Sequence, residues 1–358
     1  MTAGELSRLI RADARETILA HIVKADAPPG DVDISYAYGV SVDTVPGYAT
    51  LDETHITSIH KLQVSIDRYA RDSTLKRPLN VLMHAEPGTG KSHFVRCLAK
   101  SMPMANAVAV DFNMASYADG LDMQHVLDEV RDLKVSDRLP ILFLDEFDTE
   151  RRHYATLLPL MWDGEFRVRQ RILKLGKLVV ILAGSKRSVT QAIQAARTGI
   201  RPKRASSDKL PDLISRINGG TIEIPPLDLR DKSTGRDRRI DKVCIGISLL
   251  ERRYWNLLLR VPWSLLRFIA RTEFRYGVRS IEHLVSLMKP LTMDDQAELT
   301  MQQVHLPLGS VSELRESSLC YHLAEMANAE RVVSRWQKLM DFENMVTVRK
   351  APKVELPI

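Results

Sequence analysis

The chain has 358 residues, 44% of them hydrophobic, which suits one large or two modest domains with a sizeable core. No apolar run approaches the ~20 residues that span a bilayer, and the N-terminus is polar and charged without a signal-peptide core. A membrane partner is therefore not expected, and the expected location is the cytoplasm. Cys97, Cys244 and Cys320 are far apart with no C-x-x-C pair, so they read as small apolar packers rather than zinc ligands or disulfides.

The formal net charge of +6 is modest but unevenly spread. Arg151 to Arg216 holds 15 Lys/Arg against 4 Asp/Glu, which leaves the rest of the chain net acidic. Such a local field suits nucleic acid, an acidic polypeptide, or a neighbour's nucleotide phosphates, and equally a solvated surface.

In chain order, residues 5–25 read as a helix, with Leu6, Leu9, Ile10, Ile18 and Ile22 mostly three or four apart. Ala27-Pro28-Pro29-Gly30 breaks it. Residues 31–50 carry no clear pattern. Residues 53–71 read as a second helix, with Ile56, Ile59, Leu62 and Ile66 on one face.

Val81, Leu82 and Met83 then form a buried strand. The loop Glu86-Pro87-Gly88-Thr89-Gly90 turns the chain, and Lys91-Ser92-His93-Phe94-Val95 opens a helix over 91–101. Successive backbone N–H groups in such a loop face one concavity, and the helix N-terminus adds partial positive charge. Gly88 and Gly90 let the backbone close around an anion. Lys91 would reach the β- and γ-phosphates, and the Ser92 hydroxyl would ligate Mg2+. The pattern G-x-x-x-x-G-K-[ST] is met except at its first glycine, which is Ala85.

Ala107 to Asn113 is Val-rich and of strand length, and 121–134 reads as an amphipathic helix with Leu121, Val126, Leu127 and Val130 inward. Pro140 to Leu144 is the continuous apolar run expected of a strand buried on both faces of a parallel sheet. It ends in Asp145-Glu146, where such sheets bind ligands. Asp145 can hold Mg2+ through water, and Glu146 can orient and polarise an attacking water. Asp163-Gly164 leads into the basic alternation Arg167-Val168-Arg169-Gln170-Arg171, read as an exposed strand or hairpin able to contact a partner. Leu178 to Ala183 is another buried strand, followed by Gly184-Ser185; Ser185 would lie beside the acidic strand end.

Asp212 to Ile217 reads as a helix turn closed by Asn218-Gly219, with Arg216 at its end projecting outward. Thr221 to Ile224 is a short strand. Residues 227–239 are a charged, polar linker. Helices are expected over 241–259, 262–275 and 279–289, with Arg279 at the start of the third, then over 295–305 and 312–345 before a loose tail.

The ordered set P-G-T-G-K-S, L-D-E, A-G-S, L-I-S-R and G-V-R-S resembles an AAA+ ATPase over roughly residues 75–290. The resemblance implies an α/β fold, a P-loop three-layer parallel-sheet nucleotide domain followed by a small α-helical lid. It divides the chain into a helical N-terminal region (1–75), the nucleotide-binding domain (76–228), the lid (229–292) and a helical C-terminal extension (293–358). By similarity, residues 86–93 cradle ATP, from Glu86, Pro87, Gly88, Thr89 and Gly90 through Lys91 and Ser92 to His93. Lys91 and Ser92 belong to Walker A, Asp145 and Glu146 to Walker B, and Ser185 to sensor 1. Ser92 and Asp145 would hold Mg2+. Arg216 matches the arginine finger that acts on a neighbouring subunit's ATP, and Arg279 matches sensor 2. The implied state is a homo-oligomer, most often a hexameric ring, that hydrolyses ATP to ADP and phosphate. One reading is a machine that remodels a protein or nucleic acid partner. The other is an ATP-gated scaffold or sensor, because the D-E-F-D to R-S-I-E combination also resembles bacterial proteins that look like defence components.

Overall fold

The computed structural model describes residues 31–33, 43–50, 52–119, 121–150, 152–184, 209–227, 238–253, 258–289, 291–293 and 296–298. The chain divides into two units. One is Glu53–Pro225; the other combines the flanking segments Met1–Asp52 and Pro226–Ile358. The helices expected over 5–25 and 312–345 lie outside the described residues.

Among the described residues three short strands come first, β1 (Asp31–Asp33), β2 (Asp43–Val45) and β3 (Tyr48–Ala49), all in the flanking unit. The central unit then opens with helix α1 (Glu53–Arg71), which buries Ile56, Ile59, Leu62 and Ile66 as their spacing predicts. Its Tyr69 hydroxyl is held at the foot of the sheet. It accepts from the Leu178 amide at 3.0 Å and lies 2.9 Å from the Arg77 carbonyl.

The sheet of this unit is built from β4 (Leu79–Ala85), β5 (Ala107–Asn113), β6 (Leu139–Asp145), β9 (Val179–Gly184) and β10 (Thr221–Ile224). All neighbours pair in parallel, in the order β10-β4-β9-β6-β5. Two of the three interior strands, β9 and β6, are almost wholly buried, which explains their unbroken apolar sequence. The connection from β4 to β5 and that from β9 to β10 run in opposite directions across the sheet. This is the arrangement that places a binding crevice at the carboxyl ends of the strands.

Between the strands lie α2 (Lys91–Lys100), α3 (Gln124–Val135), α4 (Arg152–Asp163) and the short α5 (Leu210–Ser215). Val126, Leu127 and Val130 of α3 face the core, and Leu121 packs against it from just before the helix. Helix α4 has no clear signature in the sequence because Pro159 interrupts its pattern. Tertiary packing of Tyr154, Leu157, Leu160 and Met161 holds it in place regardless. After α4 the chain forms the expected hairpin, β7 (Glu165–Val168) against β8 (Arg171–Lys174). Gly164 closes its base at φ 65°, where a Cβ would come within 2.7 Å of the Gly176 carbonyl oxygen.

The flanking unit is more mixed than its sequence suggests. Helices α6 (Arg239–Arg253), α7 (Trp263–Arg271) and α8 (Val278–Leu287) pack through Val243, Ile247, Leu250, Leu266, Ile269, Ile281 and Leu284. The helix expected over 241–259 ends early, and the chain enters strand β11 (Leu258–Pro262). With β1, β12 (Leu291–Met293) and β13 (Gln296–Glu298) it forms a four-stranded sheet in the order β1-β11-β13-β12. β13 falls within the helix expected over 295–305. These strands are short, and β11 pairs with β1 and β13 across long sequence separations, so tertiary context overrides local propensity. Arg238 ties the unit together. Its buried guanidinium reaches Asp52 at 2.7 Å and Asp241 at 3.1 Å.

Candidate functional site

β4 delivers the loop Glu86–Gly90 to the carboxyl edge of the sheet. Gly88 and Gly90 take φ of 79° and 87°, a left-handed conformation open to glycine at no steric cost. Thr89 steadies the bend by donating its hydroxyl to the Glu86 carbonyl at 2.8 Å. Gly90 precedes α2, and no side chain caps that helix. Among the described residues, no hydrogen bond of the chain engages the amides of Gly88, Gly90, Lys91 or Ser92. They form a donor set at a helix N-terminus of the kind that binds phosphate.

The next strand end meets this loop. β6 finishes at Asp145, in register with Asn113 of β5. The Lys91 Nζ lies 2.9 Å from Asp145 Oδ1, with the lysine nearly buried. The same carboxylate oxygen accepts the Glu146 amide at 2.9 Å. Glu146 itself sits at φ 54°, which is uncommon for a residue with a side chain. The conformation is held from both sides. Thr149 donates its hydroxyl to the Glu146 carbonyl at 2.7 Å, and the Phe147 amide donates to Ala183 of β9 at 3.2 Å. Strain that the surroundings over-determine in this way is typical of functional sites. At the end of β9, a Cβ on Gly184 would lie 2.7 Å from a carboxylate oxygen of the buried Asp148, so any side chain there would displace Asp148 and Phe147.

Lys91, Asp145 and Glu146 are thus brought together. Ser92 and His93 follow on the first turn of α2, both half-buried. Ser185 lies outside the described residues. Arg279 is exposed on the first turn of α8, in the flanking unit. Arg216 differs from its expected outward projection. Its guanidinium turns back and donates to the Leu158 carbonyl of α4. It also lies 5.5 Å from the centre of the Trp162 ring, which Arg77 covers at 4.1 Å. The aromatic face attracts the cation and shields it in part from water.

The residues present fit a magnesium nucleotide. Among the described residues, no group of three or more His, Cys, Asp or Glu gathers to cage a metal. Magnesium does not need one, because it keeps most of its waters and takes one or two protein oxygens plus phosphate. Ser92 and Asp145 supply that number.

Residues 81–201 match the model of the ATPase family associated with various cellular activities, AAA. This segment is an AAA domain. It spans β4, the phosphate loop, α2 and β6, and so covers the whole Lys91–Asp145–Glu146 constellation. The AAA domain is a nucleotide-binding P-loop module. No curated protein matches the chain. Among solved structures, NtrX from Brucella abortus in complex with ATP is 15% identical, covering 84% of this chain and 68% of that one, with a TM-score of 0.43. Cdc6p from Pyrobaculum aerophilum is 14% identical, covering 92% and 86%, with a TM-score of 0.47. The ADP complex of Hsp104 from S. cerevisiae is 14% identical over 56% of this chain and 36% of that one, with a TM-score of 0.36.

The sequence gives Asn80 no role, and it marks Asn218 only as a helix stop. An asparagine inside the apolar run Leu79 to Met83 was the available signal for the first. Among the described residues, no helix is long and apolar enough to cross a membrane.

Proposed function

We propose that the AAA domain binds Mg·ATP and hydrolyses it to ADP and phosphate within a homo-oligomer, a hexameric ring by family resemblance, to remodel a protein or nucleic acid partner. The observation that carries this reading is the meeting of Lys91 with Asp145 beside the strained Glu146, at the mouth of the phosphate loop. Loop amides and Lys91 would hold the phosphates, while Ser92 and Asp145 would hold the metal. Bound magnesium would neutralise charge on the phosphate oxygens. Glu146 would orient a water in line with the γ-phosphate and take its proton as the bond to the leaving oxygen breaks. No covalent intermediate is needed, because positioning and charge neutralisation suffice.

Arg216, delivered from a neighbouring subunit, would complete the charge balance, and Ser185 and Arg279 would sense the γ-phosphate. The hairpin β7–β8 exposes Arg167, Arg169, Arg171 and Lys174 around a half-exposed Ile172, a surface suited to an anionic partner. ATP turnover and particle size, measured together with and without DNA, RNA and acidic polypeptide, test the proposal. Nucleotide-dependent assembly with partner-stimulated turnover is expected. A monomer that neither assembles nor turns over ATP under any condition contradicts it.

A further inference from the structure

β4 carries one polar side chain in its most apolar stretch. Asn80 is 1% exposed and sits between Leu79 and Val81, both buried. An apolar residue would fill this place without the cost of burying an amide. The amide does have definite partners. Its Nδ2 donates to the Met161 carbonyl of α4 at 2.7 Å and to the Arg216 carbonyl at 2.9 Å. Two carbonyl partners require the NH2 end, so the orientation of the side chain is fixed. Oδ1 is buried and has no partner among the described residues. The group is therefore held for its donors.

The main chain of the same residue repeats the contact. The Asn80 amide donates to Asn218 Oδ1 at 2.7 Å, and the Asn80 carbonyl accepts the Gly219 amide at 2.7 Å. Asn218 Nδ2 donates to the Pro78 carbonyl at 3.0 Å. A Cβ on Gly219 would lie 2.8 Å from a Val81 methyl and 3.0 Å from the Asn80 carbonyl oxygen, so the segment lies flush against the strand. Only then does regular pairing of β10 with β4 begin, at Thr221 opposite Leu82. Asn80 thus joins three elements at one point. They are the strand that feeds the phosphate loop, the helix that follows Glu146, and the backbone of Arg216.

We infer that Asn80 is a positioning residue for Arg216: it fixes the Arg216 backbone to the phosphate-loop strand and so sets how a subunit presents that arginine to its neighbour. The inference rests on the proposal that Arg216 acts between subunits. It assigns no contact with substrate to Asn80.

Mixed assemblies of the full chain test it. Subunits carrying Glu146→Gln have a dead site but an intact Arg216, and subunits carrying Arg216→Ala have a live site. Mixed together they should recover turnover that neither has alone. Asn80→Leu is then placed in one partner at a time. In the arginine-donating subunit it should cut the recovered turnover roughly 10- to 100-fold, the cost of a small misplacement of a catalytic group. In the live-site subunit it should leave recovery largely intact, with ATP affinity retained. Equal loss in both placements, or no loss in either, overturns the positioning role. Failure of the parental mixture to recover at any ratio instead overturns the between-subunit reading of Arg216, and the positioning role with it. Should Asn80→Leu not fold, Asn218→Ala at the exposed end of the same clamp takes its place. The same one-sided loss is expected, and its absence likewise overturns the positioning role.

Discussion

Lys91 Nζ stands 2.9 Å from Asp145 Oδ1, which joins the first residue of α2 to the last residue of β6 across the carboxyl edge of the sheet. If Lys91 holds the phosphates as proposed, Lys91→Ala removes a charge-assisted contact worth about 1.5–3 kcal/mol, so ATP affinity should fall about 10- to 100-fold by calorimetry. Asp145 keeps partial access to solvent, so the fold should survive. Unchanged affinity in a folded mutant would remove the phosphate-loop assignment.

The basic hairpin gives a prediction about the partner. Replacing Arg167, Arg169 and Arg171 together by Glu reverses the charge of an exposed surface, and leaves the inward-packed Phe166, Val168 and Leu173 untouched. Basal ATP turnover should stay the same, while stimulation by an anionic partner is lost. If nucleic acid is that partner, neutralising the three arginines should also lower the magnitude of the salt slope of binding by about 3. Stimulation that survives charge reversal would show that the hairpin is only a solvated edge.

His153 gives a prediction about pH. It is fully buried at the start of α4, with its ring edge-on to Tyr117 at 5.5 Å. Burial pushes its pKa below the ordinary histidine value, with Arg152 acting in the same direction against Glu150. The unfolded chain therefore takes up this proton at a higher pH than the folded one. Stability from this residue is unaffected at neutral pH and is lost as pH falls below about 6.5. His153→Phe should flatten the acid side of the melting profile. An identical profile would mean that the imidazole titrates as it does in the unfolded chain.

Tyr69 anchors the end of α1 to the sheet through its hydroxyl, beside Lys177, whose Nζ donates to the Ala70 and Asp72 carbonyls. Tyr69→Phe keeps the ring in place but leaves the buried Leu178 amide without that acceptor, at a cost of about 1–3 kcal/mol. Urea unfolding should show a lower midpoint with an unchanged slope. A midpoint within error of wild type would mean that water replaces the hydroxyl.

Where local pattern and tertiary demand agree, the sequence is readable. Ile56, Ile59, Leu62 and Ile66 predict the buried face of α1, and the apolar run before Asp145 predicts a strand covered on both sides. Gly88, Gly90 and Lys91 reveal the phosphate loop because its chemistry is local in sequence. The misses are non-local. Pro159 hides α4, whose stability comes from its core contacts. β11 and β13 depend on each other and on partners far away in the chain. Arg216 is correctly located at a helix end, but its rotation onto Leu158 and Trp162 depends on α4, which the sequence does not reveal. Asn80 looks like a minor blemish in an apolar strand until Met161 and Arg216 are placed beside it.

In the proposed reaction Glu146, held at φ 54° beside Asp145, would activate water for attack on ATP bound at the phosphate loop. The most direct measurement is ATP affinity and phosphate release on the same full-length preparations of wild type and Glu146→Gln. Near-equal affinity is expected, with a fall in phosphate release of roughly 10²-fold or more for loss of a general base. Equal phosphate release by the two proteins would contradict it.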